Sequence, residues 1–426
     1  MITYLNKLVR DQIFITLVIK FFGMLFLFIG IKILIDKVGL DTYGRYAQTI
    51  SFLLLFISVA SLGFSQSFIR KVANLKLNKK NELYRRKQKV IFTVSFLLTP
   101  ILFFFLYSFL ERDFLSSCVV SLIFLLTSSL RLRFTYIRTS KIVKFSEVPD
   151  LIIRAFIFLA LLYFLDITTE SQLYIIAFIS FLSAYLTQFL MIRDLKLFSN
   201  LTLLNFKSLK KEVDFNELKI WLYNTFIQAK EFLEISIILM LMNAAIAGEY
   251  KVLMQFSLGF MAVFNSLNLV NSASYAKMIA NDEIIKINHK ARSEFMKGII
   301  FFILILLTFA LINNTINIFE TFSLSENANY VFYLILISPF INLCIGPVSQ
   351  LNIHLRNLNY LNIFYVIRLI LIALLILFSS IIEGFNLYHF VSYQVAIELL
   401  FLLSLAIILK IKHNYSPPIL STLRGI

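Results

Sequence analysis

The sequence predicts an all-α polytopic membrane protein, and three observations predict it. The 426 residues are 59% hydrophobic and only 15% charged, against about 45–50% apolar and about 25% charged in ordinary soluble domains. Apolar stretches long enough to cross a bilayer recur along the whole chain. Lys and Arg fall almost entirely into every second connection between those stretches.

Taking runs of roughly 20 mainly apolar residues, the spans fall near 13–35, 47–67, 90–110, 115–135, 150–167, 172–192, 220–245, 252–275, 298–319, 330–351, 361–382 and 389–409. In hydrocarbon every backbone polar group needs an internal partner, so such long apolar runs must be helices rather than barrel strands. The first run follows Lys7 and Arg10, like a secretory signal, but extends too far, contains Lys20 and lacks a small-residue cleavage site. It is expected to stay as the first span.

Charge placement sets the orientation. With a cytoplasmic N-terminus, 31 of the 40 Lys and Arg residues lie in cytoplasmic segments and four (Lys37, Arg45, Arg112 and Lys251) in external loops. Both termini therefore face the cytoplasm, and the net charge of +16 is mostly topogenic. The densest run, RKVANLKLNKKNELYRRKQK, fits anionic lipid headgroups rather than nucleic acid. Cys118 and Cys344 are far apart in apolar runs, and the four histidines lack ligand spacing, which argues against a disulfide framework or metal site.

The longest connection, 193–219, divides the chain into a six-span N-terminal lobe (1–192) and a six-span C-terminal lobe (220–426). Phe206, Leu209, Val213 and Ile220 recur there at helical spacing among lysines, predicting a surface amphipathic helix. An internal echo supports the division: VGLDTYGRYAQTISFLL and NAAIAGEYKVLMQFSLG place Gly44-x-Tyr46 and Gly248-x-Tyr250 at an offset of 204 residues. Each is expected to form a tight external turn with an interfacial aromatic. Paired six-helix halves are a transporter architecture, with the substrate path near the midplane. No external loop exceeds about a dozen residues, which disfavours an extramembrane catalytic domain.

Intramembrane charges are the candidate functional residues, because each costs about 2.5–3.5 kcal/mol at mid-bilayer on insertion scales. Lys32 is near the external end and one turn from Asp36, so an ion pair is expected. Lys20 shares a face with Thr16, Gly23, Leu27 and Gly30, which predicts a neighbouring helix or a cavity against it. Arg154 and Arg368 lie in the cytoplasmic halves of spans five and eleven. In WLYNTFIQAKEFLEIS, Lys230, Glu231 and Glu234 share a face, and Lys230 is spaced to pair with Glu234. Glu398 is similarly deep in span twelve. The plain alternative for these residues is a set of helix–helix polar clamps.

Taken together, Lys20, Arg154, Lys230 and Arg368 come from both halves at similar depth and could ring one cytoplasmic-side cavity suited to phosphate. Glu231, Glu234 and Glu398 would suit proton or Na⁺ coupling. Ser51, Ser58 and Ser65, then Asn265, Asn268 and Ser272, and Asn342 with Gly346 form further polar rows. Pro339 and Pro347 are expected to bend span ten.

With VGLDTYGRYAQTISFLLLFISVASLGFSQ after span one, and Glu234 followed by the AGEYKVL segment, the chain resembles the Wzx-type polysaccharide (O-antigen) flippases of the multidrug/oligosaccharidyl-lipid/polysaccharide exporter superfamily. The likeness extends to length, topology and the two-lobe division. The sequence departs from the family in having Glu where Asp is frequent in the seventh span, and Lys in the first span where Arg is expected. The resemblance implies a non-enzymatic, multi-pass protein of the bacterial inner membrane. It would move an undecaprenyl-diphosphate-linked oligosaccharide outward in lipopolysaccharide or related biosynthesis, with cations on the diphosphate, beside membrane lipids and polysaccharide assembly proteins. A cation-coupled drug antiporter of the same superfamily and a membrane polymerase or glycosyltransferase are the competing readings.

Overall fold

The computed structural model describes residues 12–72, 75–140, 146–192, 203–204, 211–355, 357–379, 382 and 384–419. These residues form helices α1 Gln12–Ser61, α2 Phe64–Val72, α3 Leu77–Ser108, α4 Phe114–Thr127, α5 Leu130–Ser140, a π-helical turn Pro149–Ile153, α6 Arg154–Phe164 and α7 Glu170–Ile192. They continue as α8 Phe215–Leu241, α9 Ala244–Ala280, α10 Ile284–Ile316, α11 Ile318–Thr321, α12 Ala328–Ile345, α13 Val348–His354, α14 Leu358–Ser379 and α15 Leu387–His413. Each of the twelve predicted spans is centred on these helices, with α1 carrying the centres of two of them.

The division of α1 is made by one residue. Gly39 adopts φ 80° and ψ 166° inside the helical run, a conformation that costs L-residues with a Cβ but not glycine. The expected external turns at Gly44-x-Tyr46 and Gly248-x-Tyr250 are corrected here, because both motifs are helical, in α1 and α9. The reversals lie five residues earlier, at Gly39 and at Asn243, whose side chain caps α9 by accepting from the Ile246 N–H at 2.8 Å. Asn243 is 204 residues after Gly39, so the same offset that relates the two G-x-Y motifs relates the two chain reversals.

Large apolar side chains are exposed in helical register. On α3 these are Phe96, Leu97, Ile101, Phe104 and Phe105; on α10 they are Ile300, Ile303, Leu304, Leu307 and Leu311. Contiguous stripes of this kind are unfavourable in water, at about 25 cal/mol per Å² of apolar surface, and are satisfied by lipid. Eight helical stretches among the described residues are long and apolar enough to cross a membrane. The chain is a multi-pass, all-α membrane protein.

The helices group into two compact units, Met1–Phe232 and Leu233–Ile426, dividing within α8. In the first unit, α1 packs on α6 and on the π-helical turn. Gly23 makes this possible, since a Cβ there would lie 2.7 Å from the Leu151 carbonyl oxygen, while at Gly30 it would meet Phe158 and Leu162 at 3.6 and 3.8 Å. The face of Lys20, Gly23 and Gly30 thus meets a neighbouring helix. At the external end, the buried Arg112 donates to Thr49 Oγ1 at 3.0 Å, to Glu170 at 3.2 Å and to the Arg45 carbonyl at 3.1 Å.

At the cytoplasmic end, the basic run after α2 is not a solvated loop, because residues 77–89 form the first turns of α3. Glu217, fully buried, accepts from Lys71 at 2.8 Å, Lys87 at 3.0 Å, Ser67 at 3.1 Å and the Asp214 N–H at 3.0 Å. Lys71 also pairs with Asp214 at 2.6 Å. Burial works against the Lys71 ammonium, but its bonds to Asp214 and Glu217 outweigh it and hold the group above its ordinary pKa. Asp214 is held below the usual carboxylate range, again against burial, by Lys71 and by the Glu217 N–H. This clamp fastens the start of α8 to α2 and α3.

The predicted amphipathic helix over 193–219 lies largely outside the described residues. Within the described residues of that segment, Leu204 and Val213 pack on a buried cluster that includes Phe68, Tyr84 and Tyr136.

In the second unit, α12 packs on α9 and α15. Span ten is not merely bent. Its helix stops at Ile345, Gly346 takes φ 84° and Pro347 precedes α13.

Candidate functional site

In the first unit, polar groups of α1, α5, the π-helical turn and α8 lie within electrostatic reach of one another. A π turn inserts one residue into the helical path and frequently marks a functional position; here it begins with Pro149 and sets Asp150 one turn before Arg154. Arg154 donates to Asp150 Oδ1 at 2.7 Å and lies 4.8 Å from the Phe181 ring. Lys20 pairs with Glu147 at 3.8 Å. Arg138 is within electrostatic reach of both Lys20 and Glu147, and Arg131 of Asp150 and Glu231. Burial pushes the Glu147 carboxyl above its ordinary pKa, and Lys20 and Arg138 oppose that rise.

Arg131 and Arg138 are seven residues apart and therefore share one face of α5. Sequence reasoning missed both, assigning them to a basic cytoplasmic loop. The signal available was their seven-residue spacing. Tyr43, buried on α1, bears on Glu231, and Tyr46 stacks between Phe158 and Tyr174, with centroids 6.5 and 5.7 Å away. Lys230 and Glu231 are both half-buried on α8 in this unit.

Arg133 occupies the opposite side of α5. It is buried, donates to the Tyr185 hydroxyl at 2.8 Å and lies 3.9 Å from that ring.

The second unit holds the remaining sequence candidates. Arg368, 3% exposed on α14, pairs with Glu398 on α15. Its guanidinium lies near the rings of Phe401 and Tyr365, at 5.4 and 5.9 Å. Glu234, 2% exposed, accepts from the Tyr250 hydroxyl at 3.1 Å and is within electrostatic reach of Arg368. Tyr250, placed by sequence at an external membrane interface, is instead a buried hydrogen-bond donor.

The structure thus brings Lys20 and Arg154 into one network with Arg131, Arg138, Glu147, Asp150 and Glu231, and joins Arg368, Glu398 and Glu234 in another. The pairing of Lys32 with Asp36 at the end of the first span is present as the sequence predicts. Cys118 and Cys344 are free thiols.

No family model matches the chain, and no curated protein matches it in sequence. Solved structures do share its fold. One is the MATE multidrug transporter DinF-BH, determined as a complex, at 15% identity and a TM-score of 0.66, covering 96% of each chain. A second is a multidrug resistance MATE family transporter of the MOP superfamily in an inward-facing conformation, at 10% identity and a TM-score of 0.66, covering 92% of this chain and 94% of that one. A third, at 10% identity and a TM-score of 0.61 over 96% and 97%, is a MOP superfamily transporter from Pyrococcus furiosus, for which a reverse polarity of the binding pocket suggests a different function.

Proposed function

We propose that the chain is a secondary transporter working by alternating access. We further propose that its substrate is an amphipathic lipid with an anionic head, the undecaprenyl-diphosphate-linked oligosaccharide of a polysaccharide pathway in the bacterial inner membrane. The shared fold over almost the full length of known transporters supports transport rather than enzymatic chemistry. The observation that carries the substrate class is the first-unit network, in which, among the described residues, Lys20, Arg131, Arg138 and Arg154 confront Glu147, Asp150 and Glu231.

Four cations stand against three acids there, and the arginines stay protonated throughout. A diphosphate can take up the surplus by charge-assisted hydrogen bonds, bidentate where arginine donates. Lys230, beside Glu231 on α8, and Arg368, paired with Glu398, remain further candidate cations for the substrate head. Glu231, Glu234 and Glu398 remain candidates for proton or Na⁺ coupling.

The named fold neighbours favour a second reading, a cation-coupled drug antiporter, since two of the three are described as multidrug transporters. For the third, a reverse polarity of the binding pocket is described as suggesting a different function, and pocket polarity is the property that separates the two readings here.

The test is reconstitution of the full chain in proteoliposomes with two substrates, a fluorescent polyprenyl-diphosphate oligosaccharide and the cationic dye ethidium. The flippase reading expects lipid translocation, reduced at least tenfold in Arg131→Gln and Arg138→Gln, and no dye transport. Cation-driven ethidium transport without lipid translocation would replace it with the antiporter reading.

A further inference from the structure

The second unit contains a buried carboxylate that neither substrate reading uses. Glu294 on α10 is 8% exposed. Its Oε2 accepts from the Tyr275 hydroxyl at 2.5 Å, whereas its Oε1 is buried with no hydrogen-bond partner among the described residues. Glu294 lines a small cavity together with Asn268, Phe295, Leu343, Gly346 and Pro347.

The break between α12 and α13 lines the same cavity. Pro347 has no N–H to offer the Leu343 carbonyl four residues earlier, so that oxygen lacks its helical donor. The break is a held feature: Gly346 sits at φ 84°, the Tyr415 hydroxyl donates to the Ile345 carbonyl at 3.0 Å, and a Cβ on Gly346 would lie 2.6 Å from that hydroxyl. Asn268, itself buried, adds a side-chain amide.

A buried carboxylate oxygen with no hydrogen-bond donor, in a cavity lined also by an interrupted helix, needs a positive charge. Leaving it bare costs far more than a neutral unsatisfied group, and unwound backbone carbonyls beside a buried acid are a general way for membrane transporters to hold Na⁺ or H⁺. The charged and titratable groups bearing on Glu294 are Tyr275 from α9, Lys290 and Lys297 from its own helix, and Tyr415 from the segment after α15. The two lysines act only at a distance and leave Oε1 without a donor.

We propose that Glu294, with Asn268 and the freed Leu343 carbonyl, forms a monovalent-cation site, filled by a proton or by Na⁺, at the α12–α13 break. The site is separate from Glu234 and Glu398, and it supplies the second unit with an ion-dependent element whatever the substrate.

The experiment uses the full chain in lipid nanodiscs without substrate, so its failure says nothing about the flippase reading. Dicyclohexylcarbodiimide, which modifies protonated carboxyls in apolar surroundings, is followed by mass spectrometry of the Glu294 peptide, in parallel with binding of radiolabelled sodium. A sodium site gives saturable sodium binding that is lost at least tenfold in Glu294→Gln, kept in Glu234→Gln, and accompanied by sodium protection of Glu294 from labelling. A proton site gives no sodium binding and Glu294 labelling that falls at least tenfold as pH is raised. Labelling of Glu294 that is absent at every pH, or that responds to neither pH nor sodium, would overturn the proposal, and this readout on the unmodified chain does not depend on the variants folding.

Discussion

The candidate polar networks of the two units differ in depth: the charged groups of the first are half-buried, whereas Arg368, Glu234 and Glu294 of the second are buried. In the first, Lys20, Arg131, Arg138 and Arg154 outnumber Glu147, Asp150 and Glu231 among the described residues. In the second, Arg368 faces Glu398 and Glu234, and Glu294 is a further buried acid within electrostatic reach of the half-buried Lys290 and the exposed Lys297. A cationic surplus is completed by an anionic ligand and an acidic one by a cation. On the proposed readings, the anionic substrate head falls to the first unit and the monovalent cation to the second.

The comparison breaks most sharply at Arg368. Both it and its partner are largely withdrawn from solvent, so Arg368→Met strands Glu398 and is expected to lower stability by about 3–5 kcal/mol. The double variant Arg368→Met/Glu398→Leu should recover most of the loss, because an apolar pair of similar volume avoids desolvation altogether. Thermal unfolding in detergent measures both. The matching change in the first unit, Arg154→Gln, should cost no more than about 1 kcal/mol, since Arg154 and Asp150 are one turn apart and partly exposed. Equal losses at the two sites would refute the difference in burial on which the comparison rests.

Packing gives the next largest contrast. Gly23 meets backbone, the Leu151 carbonyl of the π turn, so Gly23→Ala must displace α1 from that turn and is expected to cost about 1–3 kcal/mol. Gly298 in the second unit meets instead the terminal methyl carbon of Leu343, which can rotate away. Gly298→Ala should therefore cost less than Gly23→Ala, measured in the same unfolding assay.

These residues also show how far the sequence could be read. The spans were legible because hydrocarbon imposes length and apolarity on every helix, and Lys20, Gly23 and Gly30 were legible as one face because helical phase is fixed. The partner of that face was not, since a single helix does not say which of its neighbours holds Glu147 or Leu151. Arg131 and Arg138 were hidden by the charge rule itself, which reads basic residues after a span as topology even when the helix carries them inward. Glu294 was hidden for the same reason, lying at the start of a span among lysines. Tyr250 was misplaced because Gly-x-Tyr has the composition of a turn, while the actual reversal used Asn243 as a cap.

A smaller effect concerns the clamp at the cytoplasmic end of the first unit. Asp214 has a lowered pKa in the folded chain, so its contribution is present above the unfolded value of about 3.9 and is lost as pH falls through the folded value. Lys71 has a raised pKa, so its contribution is present below the unfolded value of about 10.4 and is lost only as pH rises through the folded one. Asp214→Asn should flatten the acid limb of the stability–pH curve and leave the alkaline limb in place. Asp214 is partly solvated, so the loss near neutral pH is expected to stay within about 1 kcal/mol. An unchanged acid limb would show that Asp214 contributes no pH-dependent stability.

The smallest expected effect separates the two lysines of the first span. Lys32 pairs with Asp36 one turn away and both remain solvent-accessible, so Lys32→Ala should change stability by only about 0.2–0.5 kcal/mol and leave lipid translocation intact. Lys20 is largely withdrawn from solvent and connects α1 to Glu147, which Arg138 also reaches, so Lys20→Ala should reduce translocation at least tenfold while the protein remains folded. If both variants transported like the unmodified chain, the cationic surplus of the first unit would be a packing device with no ligand, and the division of tasks between the units would rest on the acidic second unit alone.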